Sequence, residues 1–86
     1  MSPTFPLRVM VQDVWDEIAF DLPVATTLAE LKRRALELTR VRHDPAGYML
    51  KFRGAELMDE SRSLGEAGLV ANGALIVLPR RRRPIR

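Results

Sequence analysis

From residue 7 onward the chain alternates apolar and polar positions. In LRVMV, Leu7, Val9 and Val11 fall on one side and Arg8 and Met10 on the other. A period of two with β-branched residues marks a strand. A short polar break, QDVWDE, contains Val14 and Trp15. Alternation resumes in EIAFDL, with Ile18, Phe20 and Leu22 on one side and Glu17, Ala19 and Asp21 on the other. Two such runs, so closely spaced, predict an antiparallel hairpin. Pro23 ends it, having no amide to donate to a ladder.

The period then changes to 3.6 in TTLAELKRRALELTR. Thr27 and Glu30 have the spacing of a capping box, in which the hydroxyl accepts from the Glu30 amide and the carboxylate reaches back to the Thr27 amide. Leu28, Leu31, Ala35 and Leu38 line one face of the expected helix, and Lys32, Arg33, Arg34 and Glu37 lie beside or opposite it. Basic residues towards its end, Arg40 among them, suit the negative end of the helix dipole. RHDPAG then reads as a loop, because Asp-Pro and a nearby glycine favour turns.

YMLKF alternates again, with Tyr48, Leu50 and Phe52 opposite Met49 and Lys51. Arg53-Gly54 predicts a tight turn into the short strand AEL. MDESRSLGEAGLVANG is rich in turn formers, with room for one helical turn around Leu64 to Ala67, and Asn72-Gly73 favours a turn with positive φ. The last run, ALIVL, is a strand with Leu75 and Val77 opposite Ile76 and Leu78. The order is strand, strand, helix, strand, short strand, strand. One helix and one sheet, each with a single apolar face, must bury those faces against each other. The fold class is α+β, a single small roll.

Composition narrows the picture further. At 86 residues, 47% of them hydrophobic, the chain can form one core and no more. It has no cysteine and a single histidine, so neither disulfides nor a zinc site can brace it. No run approaches the ~20 apolar residues that span a bilayer, and the N-terminus lacks a signal-peptide pattern. These features predict a cytoplasmic protein. The net charge of +3 is unevenly placed: Arg80, Arg81, Arg82, Arg83 and Arg86 supply five of the 14 basic residues. The remaining nine face 11 acidic side chains, so residues 1–79 carry a net −2. A dedicated nucleic-acid binder spreads its cations over a folded face.

With these elements in order, residues 7 to about 82 resemble ubiquitin and the ubiquitin-like β-grasp family. The resemblance is carried by the hairpin followed by TTLAELK, by LKFRGAELMDE, and by SLGEAGLVANGALIVL. It implies a mixed five-stranded sheet ordered 2-1-5-3-4 with one helix across it. Leu7, Val9, Val11, Ile18, Phe20, Leu22, Leu28, Leu31, Leu50, Phe52, Leu57, Leu64, Leu69, Leu75 and Val77 would then point inward. It divides the chain into a flexible segment 1–6, the domain 7–79 and a basic, extended tail 80–86. Lys32 matches a helix lysine of the family that pairs with an aspartate, and Asp59 matches that aspartate.

The departures carry the functional expectation. Family members that become linked to targets end in Gly-Gly; Arg83 and Pro84 occupy those positions here. The family's partner-binding isoleucine is matched by Lys51, while Met49, Ile76 and Leu78 around it remain apolar. Val14 and Trp15 fall in the hairpin loop, where the family places another contact residue. The expectation is a bacterial-type, non-conjugated interaction module or adaptor that binds another protein through its open sheet face. Its contact residues are Val14, Trp15, Met49, Lys51, Ile76 and Leu78. The tail arginines Arg80, Arg81, Arg82, Arg83 and Arg86 would add weak contacts to acidic protein, membrane or nucleic acid.

The absence of Gly-Gly also resembles the small ubiquitin-like component of type VII secretion systems. Two other classes stay open: an accessory β-grasp subunit of a multicomponent monooxygenase, and a nucleic-acid-associated protein acting through the arginines. His43 stands without ligand partners, and Glu66, Asp59 and Glu60 lack an environment that tunes a general acid. No catalytic, metal or cofactor site is expected.

Overall fold

The structure, a computed structural model, describes residues 4–40 and 44–80. The first two alternating runs form β1 (Thr4–Val11) and β2 (Asp16–Pro23), paired antiparallel with Leu7 opposite Phe20 and Val9 opposite Ile18. β1 starts at Thr4, ahead of the boundary expected at Leu7. The reason is Phe5, which lies opposite Leu22 and packs against the core. Pro6 interrupts the alternation but precedes the first pair with the last strand, Leu7 with Gly73. Its missing amide therefore costs that ladder nothing.

The helix α1 spans Leu28–Leu38, and the Thr27 side chain accepts from the Glu30 amide at 3.2 Å. The reciprocal half of the expected box does not form. The Glu30 carboxylate instead binds the Arg33 and Arg34 guanidiniums at 2.6 and 2.8 Å. Those bonds join two full charges one turn ahead, whereas the backbone amide would offer the carboxylate a neutral donor. A full capping box forms elsewhere: the Ser63 amide donates to Glu66 at 3.0 Å, and the Glu66 amide to the Ser63 hydroxyl at 3.2 Å. It closes the turn around Leu64 to Ala67.

The helix stripe differs from the expected one. Leu28, Leu31, Lys32, Ala35 and Leu36 are buried, whereas Leu38 is 62% exposed. At ~100° per residue the stripe runs from Leu31 through Ala35, Leu28 and Lys32 to Leu36, and Leu38 falls outside its edge. Arg40 lies beyond the helix, in a left-handed conformation with φ 62°. The last turn carries no basic residue, so the expected dipole contact is absent from it.

β3 (Tyr48–Phe52), β4 (Ala55–Glu56) and β5 (Gly73–Pro79) complete one sheet ordered β2-β1-β5-β3-β4. β1 and β5 are parallel; the other pairs are antiparallel. Arg53 (φ 55°) and Gly54 (φ 81°) form the two-residue link between β3 and β4, whose paired positive φ values match the twist of a hairpin. The sheet's inner face and the helix stripe meet in one core. Leu7, Val9, Val11, Phe20, Leu28, Leu31, Leu50, Leu64, Leu69, Leu75 and Val77 are buried in it, with Ile18, Leu22, Phe52 and Leu57 at its margin. At roughly 25 cal/mol per Å² of apolar surface, this burial is the main source of stability. The loop from Leu57 to Asn72 also caps the helix, since the Leu28 and Ala29 amides donate to the carbonyls of Arg62 and Glu60.

Candidate interaction surface

With the helix on one side, the opposite side of the sheet is built from the other half of each alternation. In β5, Leu75 and Val77 are buried, Ala74 and Ile76 exposed, and Leu78 half-buried. Register fixes the neighbours. Ile76 lies between Met10 of β1 and Lys51 of β3, and Met49 faces Leu78. Met10, Met49, Lys51 and Leu78 are half-buried, and Ile76 is 43% exposed at their centre. Ala74 and Ala19 flank Arg8 in the next row. The sheet thus brings Met49, Lys51, Ile76 and Leu78 together, as the sequence reading expects. It adds Met10, which the first alternation had already placed on this side.

Val14 and Trp15 stand on the hairpin tip, 45% and 73% exposed. The tip follows Val11, which pairs with Val77, so it lies at the Leu78 end of the face. Trp15 adopts φ 53°, a left-handed conformation that costs a bulky residue ~1–2 kcal/mol. The loop holds it there. The Gln12 amide donates to Val77 O at 2.9 Å, and the Trp15 amide to Gln12 O at 3.2 Å. The buried Tyr48 donates its hydroxyl to the Asp13 carboxylate. Burial first, then the hydrogen bond to Asp13 and lastly its charge, push the Tyr48 phenol up to about 12.

Two expected charge arrangements are corrected. Lys32 does not pair with Asp59: its ammonium meets Glu60 Oε1 at 2.7 Å and donates to Tyr48 O at 2.9 Å. The loop points the neighbouring Glu60 at the helix, while Asp59 takes the Ser61 hydroxyl and amide. Those bonds, with Arg62 nearby, hold the Asp59 carboxyl below its ordinary value. Arg80 is not part of a free tail either. Its amide donates to Gly47 O at 2.8 Å and its guanidinium to Ala46 O at 3.1 Å and Glu56 at 3.0 Å. Glu60 lies at 3.8 Å. The β3–β5 ladder, which runs to Tyr48 opposite Pro79, carries Arg80 against these acids. Arg81, Arg82, Arg83 and Arg86 lie outside the described residues, as does His43.

Among the described residues no group of three or more His, Asp or Glu side chains is placed to hold a metal, and no helix is long and apolar enough to cross a membrane. A shallow groove of about 280 Å³ opens between Leu28, Leu57 and Ala67, beneath the exposed Met58. The sequence pattern does not mark it, because all of its lining except Leu28 comes from the aperiodic stretch between Glu56 and Ala67.

A helix laid across a mixed sheet in this strand order defines the ubiquitin-like β-grasp fold. Solved structures agree. A ubiquitin-like domain of Arabidopsis thaliana superposes with a TM-score of 0.73 at 17% identity, over 98% of this chain and 85% of that one. Ubiquitin of Caldiarchaeum subterraneum gives 0.76 at 10% identity, over 91% and 95%. A structure described as molecular mimicry of SUMO in DNA repair gives 0.76 at 18%, over 90% and 92%. At these identities the likeness is one of fold. No family model and no curated protein sequence matches the chain.

Proposed function

We propose that this chain is a non-enzymatic, non-conjugated interaction module that binds another protein through the outer face of its sheet and the adjoining hairpin tip. The observation that carries this reading is Ile76: a β-branched apolar residue in a central strand, 43% exposed, with Met10, Met49 and Leu78 around it. A contiguous apolar patch of this kind marks interfaces. Trp15, displayed on a bonded loop, is the anchor, as aromatic side chains dominate binding hot spots. The reading of docking without linkage rests on the sequence resemblance, which matches Arg83 and Pro84 to the family's two glycines. Arg80 is spent on internal acids, which favours the folded body over the tail as the recognition element.

A photoreactive side chain at position 76, with one at the exposed Ala29 on the helix as control, tests the reading. A cross-linked partner specific to position 76 and lost on Trp15→Ala supports it; equal labelling from both positions refutes it. The finer assignment, a cytoplasmic component of a type VII-like secretion system, rests on the resemblance in the sequence. Secretion genes beside this one would support it, and oxygenase genes would replace it with the accessory-subunit reading.

A further inference from the structure

Taking the open sheet face as the docking site, we infer that its occupant is an amphipathic helix of another protein that sets a carboxylate on its apolar side, over Lys51. Lys51 is the specificity-determining residue of the face. The inference rests on the reading above and adds the chemistry of the partner.

The backbone excludes a strand as the occupant of this face. Amides and carbonyls of β1, β5 and β3 are spent on neighbouring strands within the sheet. A segment lying on top meets side chains only, and an extended segment would leave its own amides unpaired when water is excluded. A helix satisfies its backbone internally and can lie on such a surface at no such cost.

The charge comes from Lys51. It sits half-buried in the row Lys51, Ile76, Met10, Glu17, on the β3 flank of the apolar cluster centred on Ile76. Its opposite neighbour in the ladder is Glu56. That carboxylate is taken by Arg80 at 3.0 Å. Among the described residues neither Lys51 nor Arg8 has an ion-pair partner. A partner that covers Ile76 also covers Lys51, and a desolvated ammonium is strongly unfavourable unless an opposite charge meets it. Glu17, at the β2 end of the same row, has the opposite sign. The face is therefore polar across its width, and the partner's carboxylate belongs at its β3 end.

The experiment is an NMR titration of the isotopically labelled full chain with three synthetic helical peptides. They share a Leu/Ala face and differ only in one central residue of that face: Glu, Gln or Lys. The expected result is that the Glu peptide binds at least about tenfold tighter than the Lys peptide. It shifts the signals of Met10, Met49, Ile76 and Leu78; Lys51→Gln removes the preference and Lys51→Glu reverses it. Equal affinities with shifts on this face would overturn the charge selection and leave the open-face reading intact. No binding, or shifts confined to the helix side, would overturn both. Shifts of the same signals on concentrating the protein alone would assign the face to a second copy and overturn the proposal.

Discussion

Lys32 is the buried charge on which the fold most depends, and replacing it by methionine tests that dependence. Methionine keeps the length and apolar stem of the side chain but removes the ammonium. Three bonds are lost: to Glu60 Oε1 at 2.7 Å, Glu60 Oε2 at 2.9 Å and Tyr48 O at 2.9 Å. Removing one partner of a fully buried pair costs ~3–5 kcal/mol. Two features reduce that figure here. The Glu60 side chain is 18% exposed, so water reaches it, and Arg80 stands at 3.8 Å to share its charge. The expected cost of Lys32→Met is therefore about 2–3 kcal/mol.

A domain of this length holds only ~4–13 kcal/mol in total, so the loss is plain in urea denaturation. With a slope of ~1 kcal/mol per M, the midpoint falls by about 2 M or more. Lys32→Met with Glu60→Met should recover at least ~1 kcal/mol relative to additivity, because the second change removes the stranded carboxylate. A single variant within ~0.5 kcal/mol of the parent, or strictly additive costs, would refute the view that this pair acts as a unit.

Three further outcomes are expected. Gly73→Ala destabilises by ~1–3 kcal/mol, because the added Cβ would lie 2.8 Å from the Val70 carbonyl oxygen and 3.1 Å from the Phe52 ring; calorimetry checks it, and an unchanged Tm counts against the packing described. Trp15→Gly raises stability by up to ~1 kcal/mol, since glycine adopts φ 53° without strain, while it weakens partner binding; a loss of stability would make the ring structural. Tyr48 is the chain's one tyrosine, so tyrosinate absorbance should rise near pH 12 in the native protein and about two units lower once unfolded. A pKa raised in the folded state gives stability that is complete below ~10 and lost as pH climbs towards 12. Tyr48→Phe should abolish that slope.

The sheet and core were legible because alternation is a local signal. Each strand shows which residues share a side, and the inward residues read from period two lie in the core or at its margin. The outer patch was legible for the same reason, as the remainder of each alternation. The helix was less so. Leu36 and Lys32 exchange places with Leu38 in the stripe because a lysine counts as polar in any pattern, and only the Glu60 carboxylate and the Tyr48 carbonyl make its burial tolerable. The partner swap from Asp59 to Glu60 depends on the path of an aperiodic loop. The docking of Arg80 depends on where a ladder ends. Neither is written in spacing. The strained Trp15 was visible as a loop aromatic, but the Tyr48–Asp13 bond that steadies its loop joins residues far apart in sequence.

The parallel pairing of β1 with β5 has a mechanical consequence. Adjacent parallel strands that carry the first and last segments of the fold present their outward-leading ends at opposite extremities of one ladder, from Leu7 opposite Gly73 to Val11 opposite Val77. A tether drawing on the chain before β1 and after β5 loads those bonds together in shear, not one at a time as in unzipping. A module anchored by both ends under tension would keep its recognition face assembled until the whole ladder gave way.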